Sequence, residues 1–364
     1  MANLVLYRKY RPKTFAEMIG QEHVVKTLVN ALSAGNISHS YLFSGPRGSG
    51  KTTLARLLAK ALNCQSRKDG KSEPCNNCSS CNEINENRAI DLIEIDAASN
   101  RGIDEIRELR DGIRFRPSKA KHKVFIIDES HQLSKDAANA LLKTLEEPPS
   151  HAVFILATTE IHKMIPTIVS RCQRFDFRKL TIPEIVGRLE LIAGQEKAKI
   201  EKPALELIAL NSGGALRDAE GLLDQILTFG AKTAEEIKDL LGMVDISVIG
   251  QFVDFLHQGK AAKAIEFLNR LIEKGKDPQE FAKALINYLR QALILKINSD
   301  LANPVLLGFT LEEQQKLLSQ ITDWPEEKIR LTLKLFLEAQ NQMKYSPIVQ
   351  LPLELAIIES LQKK

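Results

Sequence analysis

The sequence predicts an α/β fold, a parallel sheet with helices on both faces, followed by a long region of helices alone. Three observations carry that expectation. Short, continuously apolar runs alternate with amphipathic stretches through the first 180 or so residues, the pattern of strands buried on both faces. A glycine-rich loop, Gly45-Pro46-Arg47-Gly48-Ser49-Gly50-Lys51-Thr52, joins one such run (Tyr41, Leu42, Phe43) to a helix. Beyond about Leu180 the strand patterns stop and helical spacing takes over.

Taken in order, the chain begins with a basic and aromatic arm (Tyr7, Arg8, Lys9, Tyr10, Arg11, Pro12) and a helix expected from Gln21 to Ser33. Arg8 to Arg11 can serve as a nucleic-acid patch or as an arm packing on a nucleotide base. After the glycine-rich loop, Leu54, Leu57, Leu58, Ala61 and Leu62 mark one buried helical face. A cysteine-rich insertion follows, then a strand at Leu92–Ile95 and a charged, helical stretch from Arg101 to Arg116. Val124–Ile127 is an apolar strand ending in Asp128-Glu129. Ser134 is placed to cap a helix running to Glu147, where Pro148-Pro149 stops it. Val153 to Ala157 is a further apolar strand and ends in Thr158-Thr159. The expected division is residues 1–179 for the α/β part, 180–242 for a small helical domain, and 243–364 for a second helical domain suited to assembly.

Composition sets bounds. A chain of 364 residues with 44% hydrophobic and 26% charged content has room for two or three ordinary domains. No apolar run approaches the roughly 18 residues of a membrane span, and the N-terminus has no apolar signal segment, so a cytoplasmic protein is expected. A net charge of +4 neither requires nor excludes nucleic acid.

The glycine-rich loop is a phosphate cradle. Its glycines let successive backbone N–H groups turn toward a triphosphate, and the next helix adds the partial positive charge of its N-terminus. Lys51 is placed for the β- and γ-phosphates, and Thr52 for Mg²⁺. Asp128 is the candidate second Mg²⁺ ligand, and Glu129 the candidate base or water-positioning carboxylate. Thr158 or Thr159 could hold the attacking water or the γ-phosphate. Four cysteines, Cys64, Cys75, Cys78 and Cys81, read C-x10-C-x2-C-x2-C, a four-thiolate zinc site with no open position for catalysis. An iron–sulfur cluster is the alternative, lacking the cysteine-proline of that pattern. Arg171 and Arg217 stand in conspicuous contexts, Ser170-Arg171-Cys172 and Gly214-Ala215-Leu216-Arg217-Asp218, but spacing alone does not select them.

Together, Gly45 to Thr52, Ile19-Gly20-Gln21, Glu94 to Gly102, Asp128-Glu129-Ser130-His131 and Ser170-Arg171-Cys172 resemble the clamp-loader branch of the AAA+ ATPases. The cysteine insertion and Leu141 to Pro149 narrow the resemblance to its bacterial gamma/tau family. It covers residues 4 to 230 densely and continues more loosely to about 360. The resemblance implies a P-loop AAA+ domain, a helical lid and an all-α oligomerisation collar. It further implies ATP, Mg²⁺ and Zn²⁺ as cofactors, with Thr53 in the nucleotide loop beside Thr52. The implied machine is a pentameric ring with delta and delta-prime subunits that opens a sliding clamp and loads it on primer-template DNA. In that scheme Thr158 or Thr159 is sensor 1, Arg171 an arginine finger acting on a neighbour's ATP, and Arg217 sensor 2. Arg101 and the helices after Ser99 and Ser134 are candidates for phosphate contacts on DNA. No polymerase site is expected, nor, with the chain ending at Lys364, the helicase- and polymerase-binding tail of longer members. An assembly-only relative with a broken site, or a Holliday-junction motor, are the rival readings; the intact loop opposes the first and the cysteine module the second.

Overall fold

The computed structural model describes residues 4–362 apart from 69, 100–111, 114 and 298–310. The described residues form two compact units, 1–230 and 231–364.

The first unit is built on five parallel strands: β1 (Ser40–Ser44), β2 (Leu92–Asp96), β3 (Lys123–Asp128), β4 (Ala152–Thr158) and β5 (Gln173–Asp176). Their order is β2-β3-β4-β1-β5. Alternation along each strand separates two cores. Tyr41, Phe43, Val124, Ile126, Val153 and Ile155 face one side with Leu54, Leu58 and Leu62. Leu42, Phe125, Ile127, Phe154 and Leu156 face the other with Leu141 and Leu145. Both faces being covered explains why these strands read as unbroken apolar runs. β5 went unread in the sequence: it is an edge strand in which only Phe175 is buried, and Gln173, Arg174 and Asp176 present no apolar run.

The helices of this unit begin with α1 (Leu6–Lys9) and α2 (Glu22–Ala34), the latter close to its expected bounds. α3 (Lys51–Asn63) starts directly at the phosphate loop, and α4 (Ser79–Asn85) lies in the cysteine insertion. α5 (Lys135–Glu146) is capped by Ser134, whose hydroxyl accepts from the Ala137 N–H. α6 (Pro166–Val169) leads into β5. Three helices follow the sheet: α7 (Ile182–Gln195), α8 (Lys202–Asn211) and α9 (Leu216–Phe229). The helix expected over Arg101 to Arg116 falls largely outside the described residues.

In the second unit the described residues are helical, α10 (Ala234–Leu240) through α11 (Ile246–His257), α12 (Ala261–Glu273), α13 (Pro278–Ile297), α14 (Leu311–Asp323), α15 (Glu326–Gln342) and α16 (Leu351–Gln362). From α11 onward their apolar faces meet in one core around Phe252, Phe281, Leu289, Trp324 and Phe336. Among the described residues no helix is long and apolar enough to cross a membrane.

Candidate nucleotide and metal sites

Sheet order dictates where the chemistry gathers. β3, β4 and β1 are neighbours, so the loops leaving their carboxyl ends lie side by side, the position where open α/β sheets bind ligands. Ser44 is in register with Thr158 and Ile127 with Leu156, which sets Gly45, Asp128 and Thr159 along one rim.

The loop geometry depends on glycine at two close approaches. Gly45 has φ +147° and a Cβ there would lie 2.5 Å from the Phe177 carbonyl oxygen. Gly48 has φ +73°, and its Cβ would lie 2.8 Å from that of Ala215, just before α9. The loop is closed from within: Ser49 Oγ donates to the Pro46 carbonyl at 2.8 Å. Lys51 is buried and its Nζ donates to the carbonyls of Gly45 and Pro46, each at 2.8 Å. Burial holds its ammonium below the ordinary lysine range, opposed by the charges of Glu129 and Asp128. The lysine is thus curled over the hollow that phosphates would fill.

Thr52 Oγ1 donates to Asp128 Oδ2 at 2.7 Å, uniting the two expected Mg²⁺ ligands although they are far apart in sequence. A hydroxyl and a carboxylate of this kind, with room for phosphate oxygens, suit a cation that takes few protein ligands. Glu129 has the left-handed conformation at φ +48°, a strained state for this residue type that turns its side chain toward the end of β4. There Glu129 Oε2 accepts from Thr159 Oγ1 at 2.8 Å and from the Thr159 N–H at 3.3 Å. Thr158 points the other way; fully buried, its hydroxyl meets His131 Nδ1 at 2.9 Å and accepts from the Glu160 N–H. Of the two threonines, Thr159 is the one beside Glu129.

A cleft of about 330 Å³ opens here, within the ordinary range for ligand sites. Arg47, Gly48, Ser49, Gly50, Lys51, Thr52, Thr53, Asp128 and Glu129 line one side, and Arg217, Leu216, Arg188 and Glu220 line the other. Tyr7, Arg8, Arg11 and Pro12 line it as well, so the N-terminal arm sits at this cleft. Arg217 stacks its guanidinium 4.8 Å from the centre of the Tyr7 ring, and hydrogen bonding to Arg217 lowers the Tyr7 pKa. Arg188 and Glu220 form a buried pair at 3.4 Å, and Arg188 also donates to the Tyr10 carbonyl. Burial pushes the Glu220 carboxyl up to about 7, against the pull of Arg188. The role of this pair was not legible in the sequence, where the two residues are ordinary charged positions on separate helices.

Arg171 lies elsewhere. Its guanidinium is held by Glu146 at 2.6 Å and by the Thr167 carbonyl at 2.9 Å, outside the residues that line this cleft. Arg101 is outside the described residues.

The four cysteine sulfurs Cys64, Cys75, Cys78 and Cys81 lie within 4.8 Å of one another. Tetrahedral zinc at about 2.3 Å from each thiolate needs sulfurs about 3.8 Å apart, and Cys75 and Cys81 stand at 3.9 Å. Backbone N–H groups of Asn77 and Cys78 point at the Cys75 sulfur and bring its pKa down to about 6, while burial raises that of Cys81. The N–H···S pattern and the four-sulfur donor set, with Cys64 and Cys81 buried, fit a structural metal centre.

A five-stranded parallel sheet with a phosphate loop, an acidic pair on the neighbouring strand end and a helical lid defines a P-loop domain of the AAA+ type. Comparison with known proteins extends this. Residues 20–181 match the model described as DNA polymerase III, delta subunit, and residues 184–232 that of the DNA polymerase III clamp loader subunit, ATPase lid domain. Residues 232–363 match DNA polymerase III subunits gamma and tau domain III. The chain is 43% identical to Bacillus subtilis DNA polymerase III subunit tau and 36% identical to that of Escherichia coli, over 100% and 99% of its own length. It spans 64% and 56% of those two proteins. With the Buchnera aphidicola DNA polymerase III subunit gamma it shares 35% identity over 98% of both chains. The chain belongs to the gamma/tau family of DNA polymerase III subunits.

Proposed function

We propose that this chain is an ATP-hydrolysing motor subunit of a bacterial replicative clamp loader. The observation that carries the reading is the joined pair of contacts at the phosphate loop, Thr52 to Asp128 and Thr159 to Glu129. The first supplies a place for Mg²⁺, which when bound would neutralise phosphate charge; Thr52 and Asp128 would hold it. The second sets a carboxylate beside that place to orient a water and take its proton. Lys51 exchanges its carbonyl partners for phosphate oxygens, and Gly45 to Thr53 wrap the chain of phosphates with backbone donors. Thr159 acts as sensor 1. Arg217, already at the cleft wall, acts as sensor 2 by leaving Tyr7 for the γ-phosphate.

Arg171, directed away from its own cleft, acts as the arginine finger on ATP held by a neighbouring subunit. That reading makes the site complete only in a ring with delta and delta-prime subunits. The division into an ATPase domain (1–179), lid (180–242) and collar (243–364) places the chemistry in the first two parts and assembly in the third. Zn²⁺ held by Cys64, Cys75, Cys78 and Cys81 stabilises the insertion. The reading includes work in the cytoplasm, at the replisome on the nucleoid.

The test is loading of the sliding clamp onto primed DNA by the reconstituted complex. Loading with ATP, clamp opening with a non-hydrolysable analogue, and release only on hydrolysis are expected. A complex that loads clamp equally well without nucleotide sinks the proposal. Elemental analysis should return one zinc per chain; iron in its place would overturn the zinc assignment.

A further inference from the structure

His131 is almost entirely enclosed, its side chain only 5% exposed, and both of its ring nitrogens face oxygen. Nδ1 lies 2.9 Å from Thr158 Oγ1 and 3.5 Å from Glu129 Oε2. Nε2 lies 3.3 Å from Glu160 Oε1, and the other oxygen of Glu160 is bound by Lys163 at 2.7 Å, with His162 3.5 Å away. Thr158 Oγ1 in turn accepts from the Glu160 N–H at 3.0 Å. The ring therefore bridges two segments: the turn after β3, which carries Glu129, and the loop after β4, which carries Glu160. Glu129 needs such support. Its left-handed backbone leaves the carboxylate to be aimed by contacts rather than by the strand, and a strained residue keeps its geometry only when its surroundings over-determine it.

We propose that His131 is a positioning residue for Glu129: its ring, fixed through Nδ1 by the Thr158 hydroxyl, packs 3.5 Å from the Glu129 carboxylate at the end of β4 and ties that orientation to Glu160 and Lys163. It lies outside the residues that line the cleft and acts through Glu129. Thr159 holds the same Glu129 oxygen from the strand side, so the carboxylate sits between a hydroxyl and a ring nitrogen. The loop after β4 thereby gains a path to the attacking-water site that bypasses the phosphate loop. Whatever displaces Glu160 or Lys163 changes the aim of Glu129 without altering ATP affinity.

The inference rests on the assignment of Glu129 as the hydrolytic carboxylate, so the experiment includes Glu129→Gln. ATP turnover and nucleotide affinity are measured for the reconstituted complex with clamp and primed DNA, for His131→Ala, His131→Asn, Glu160→Gln and Glu129→Gln. His131→Ala should lower kcat about ten-fold with KM and ATP affinity unchanged, the cost of a misaimed group. His131→Asn, whose amide nitrogen takes the place of Nδ1, should restore kcat to within about three-fold of wild type. Glu160→Gln, a partly exposed change that spares the fold if His131→Ala does not, should lower kcat about three-fold. Wild-type kcat in His131→Ala beside an inactive Glu129→Gln would overturn the proposal. Equal losses in His131→Ala and His131→Asn would overturn it too, since they would make the ring a packing element. Wild-type turnover by Glu129→Gln would remove the carboxylate assignment and this inference together.

Discussion

The two walls of the nucleotide cleft are prepared in different ways. On the sheet side the polar groups are paired with each other: Thr52 with Asp128, and Thr159 with Glu129. On the proposed reading these pairs already have the geometry the chemistry needs, and ligand binding would have only to insert between them. On the lid and arm side several cations are committed to other protein groups. Arg217 lies over Tyr7, and Arg188 is divided between Glu220 and the Tyr10 carbonyl, while Lys9 and Tyr10 both reach Glu196 at 2.6 and 2.5 Å. On the proposed reading the paired groups of the sheet wall are preorganised, with Lys51 alone exchanging its carbonyl partners, whereas on the other wall the arginines exchange theirs. On that reading the first wall would lower the cost of reaching the transition state, and the second would report that nucleotide has arrived.

Breaking the sheet wall should remove nucleotide binding itself. Lys51→Ala should weaken ATP binding by about 10²-fold or more, the loss of charge-assisted contacts to phosphate; titration with a fluorescent nucleotide decides it. Arg171→Ala lies on neither wall, and separates the cleft's own chemistry from what a neighbour supplies. Hydrolysis by the assembled complex should fall about 10³-fold while the isolated chain is unchanged. An equal loss in the isolated chain would return Arg171 to its own cleft. Glu129→Gln should keep ATP and clamp binding and lose about 10²-fold in turnover, at the lower end for a general base.

The smallest effect probes the lid wall. The Glu220 carboxyl titrates near 7 in the folded protein, above its unfolded value near 4.5, because burial penalises its charge and Arg188 only partly offsets this. Between those values the folded state binds the more protons, so stability falls as pH rises from about 4.5 to 7 and then levels. Glu220→Gln should flatten that decline, a change of a few degrees in melting temperature across the window. An unchanged pH profile would mean that Glu220 is charged throughout and the pair with Arg188 is the stronger force.

How much of this was legible in the sequence follows the same divide. The sheet wall is written in contiguous motifs, Gly45 to Thr52 and Asp128-Glu129, whose chemistry depends on local backbone geometry. The cysteines were legible because C-x2-C turns bring sulfurs together by themselves. The lid wall was not. Arg217 was singled out by context, but its stacking on Tyr7 joins residues from opposite ends of the first unit. Arg188 and Glu220 acquire their importance only by being buried against each other. The choice between Thr158 and Thr159 turned on strand alternation at the last residue of β4, which a run of apolar residues does not phase. His131 stands three residues past Asp128 in plain view, yet its meaning depends on Glu160, placed by a different strand.

One contact joins the two walls directly. The Leu216 N–H, at the first residue of α9, donates to the Gly48 carbonyl in the phosphate loop at 3.2 Å. Both partners are main chain. On the proposed reading, a shift of that loop on gaining or losing phosphate would pull on the lid through a linkage carrying no side-chain identity. Such a linkage tolerates replacement of leucine at position 216 by any residue that retains its amide hydrogen. Proline alone removes the donor. The mechanical tie thus constrains the path of the backbone, and the side chain of Leu216 is answerable only to the cleft it lines.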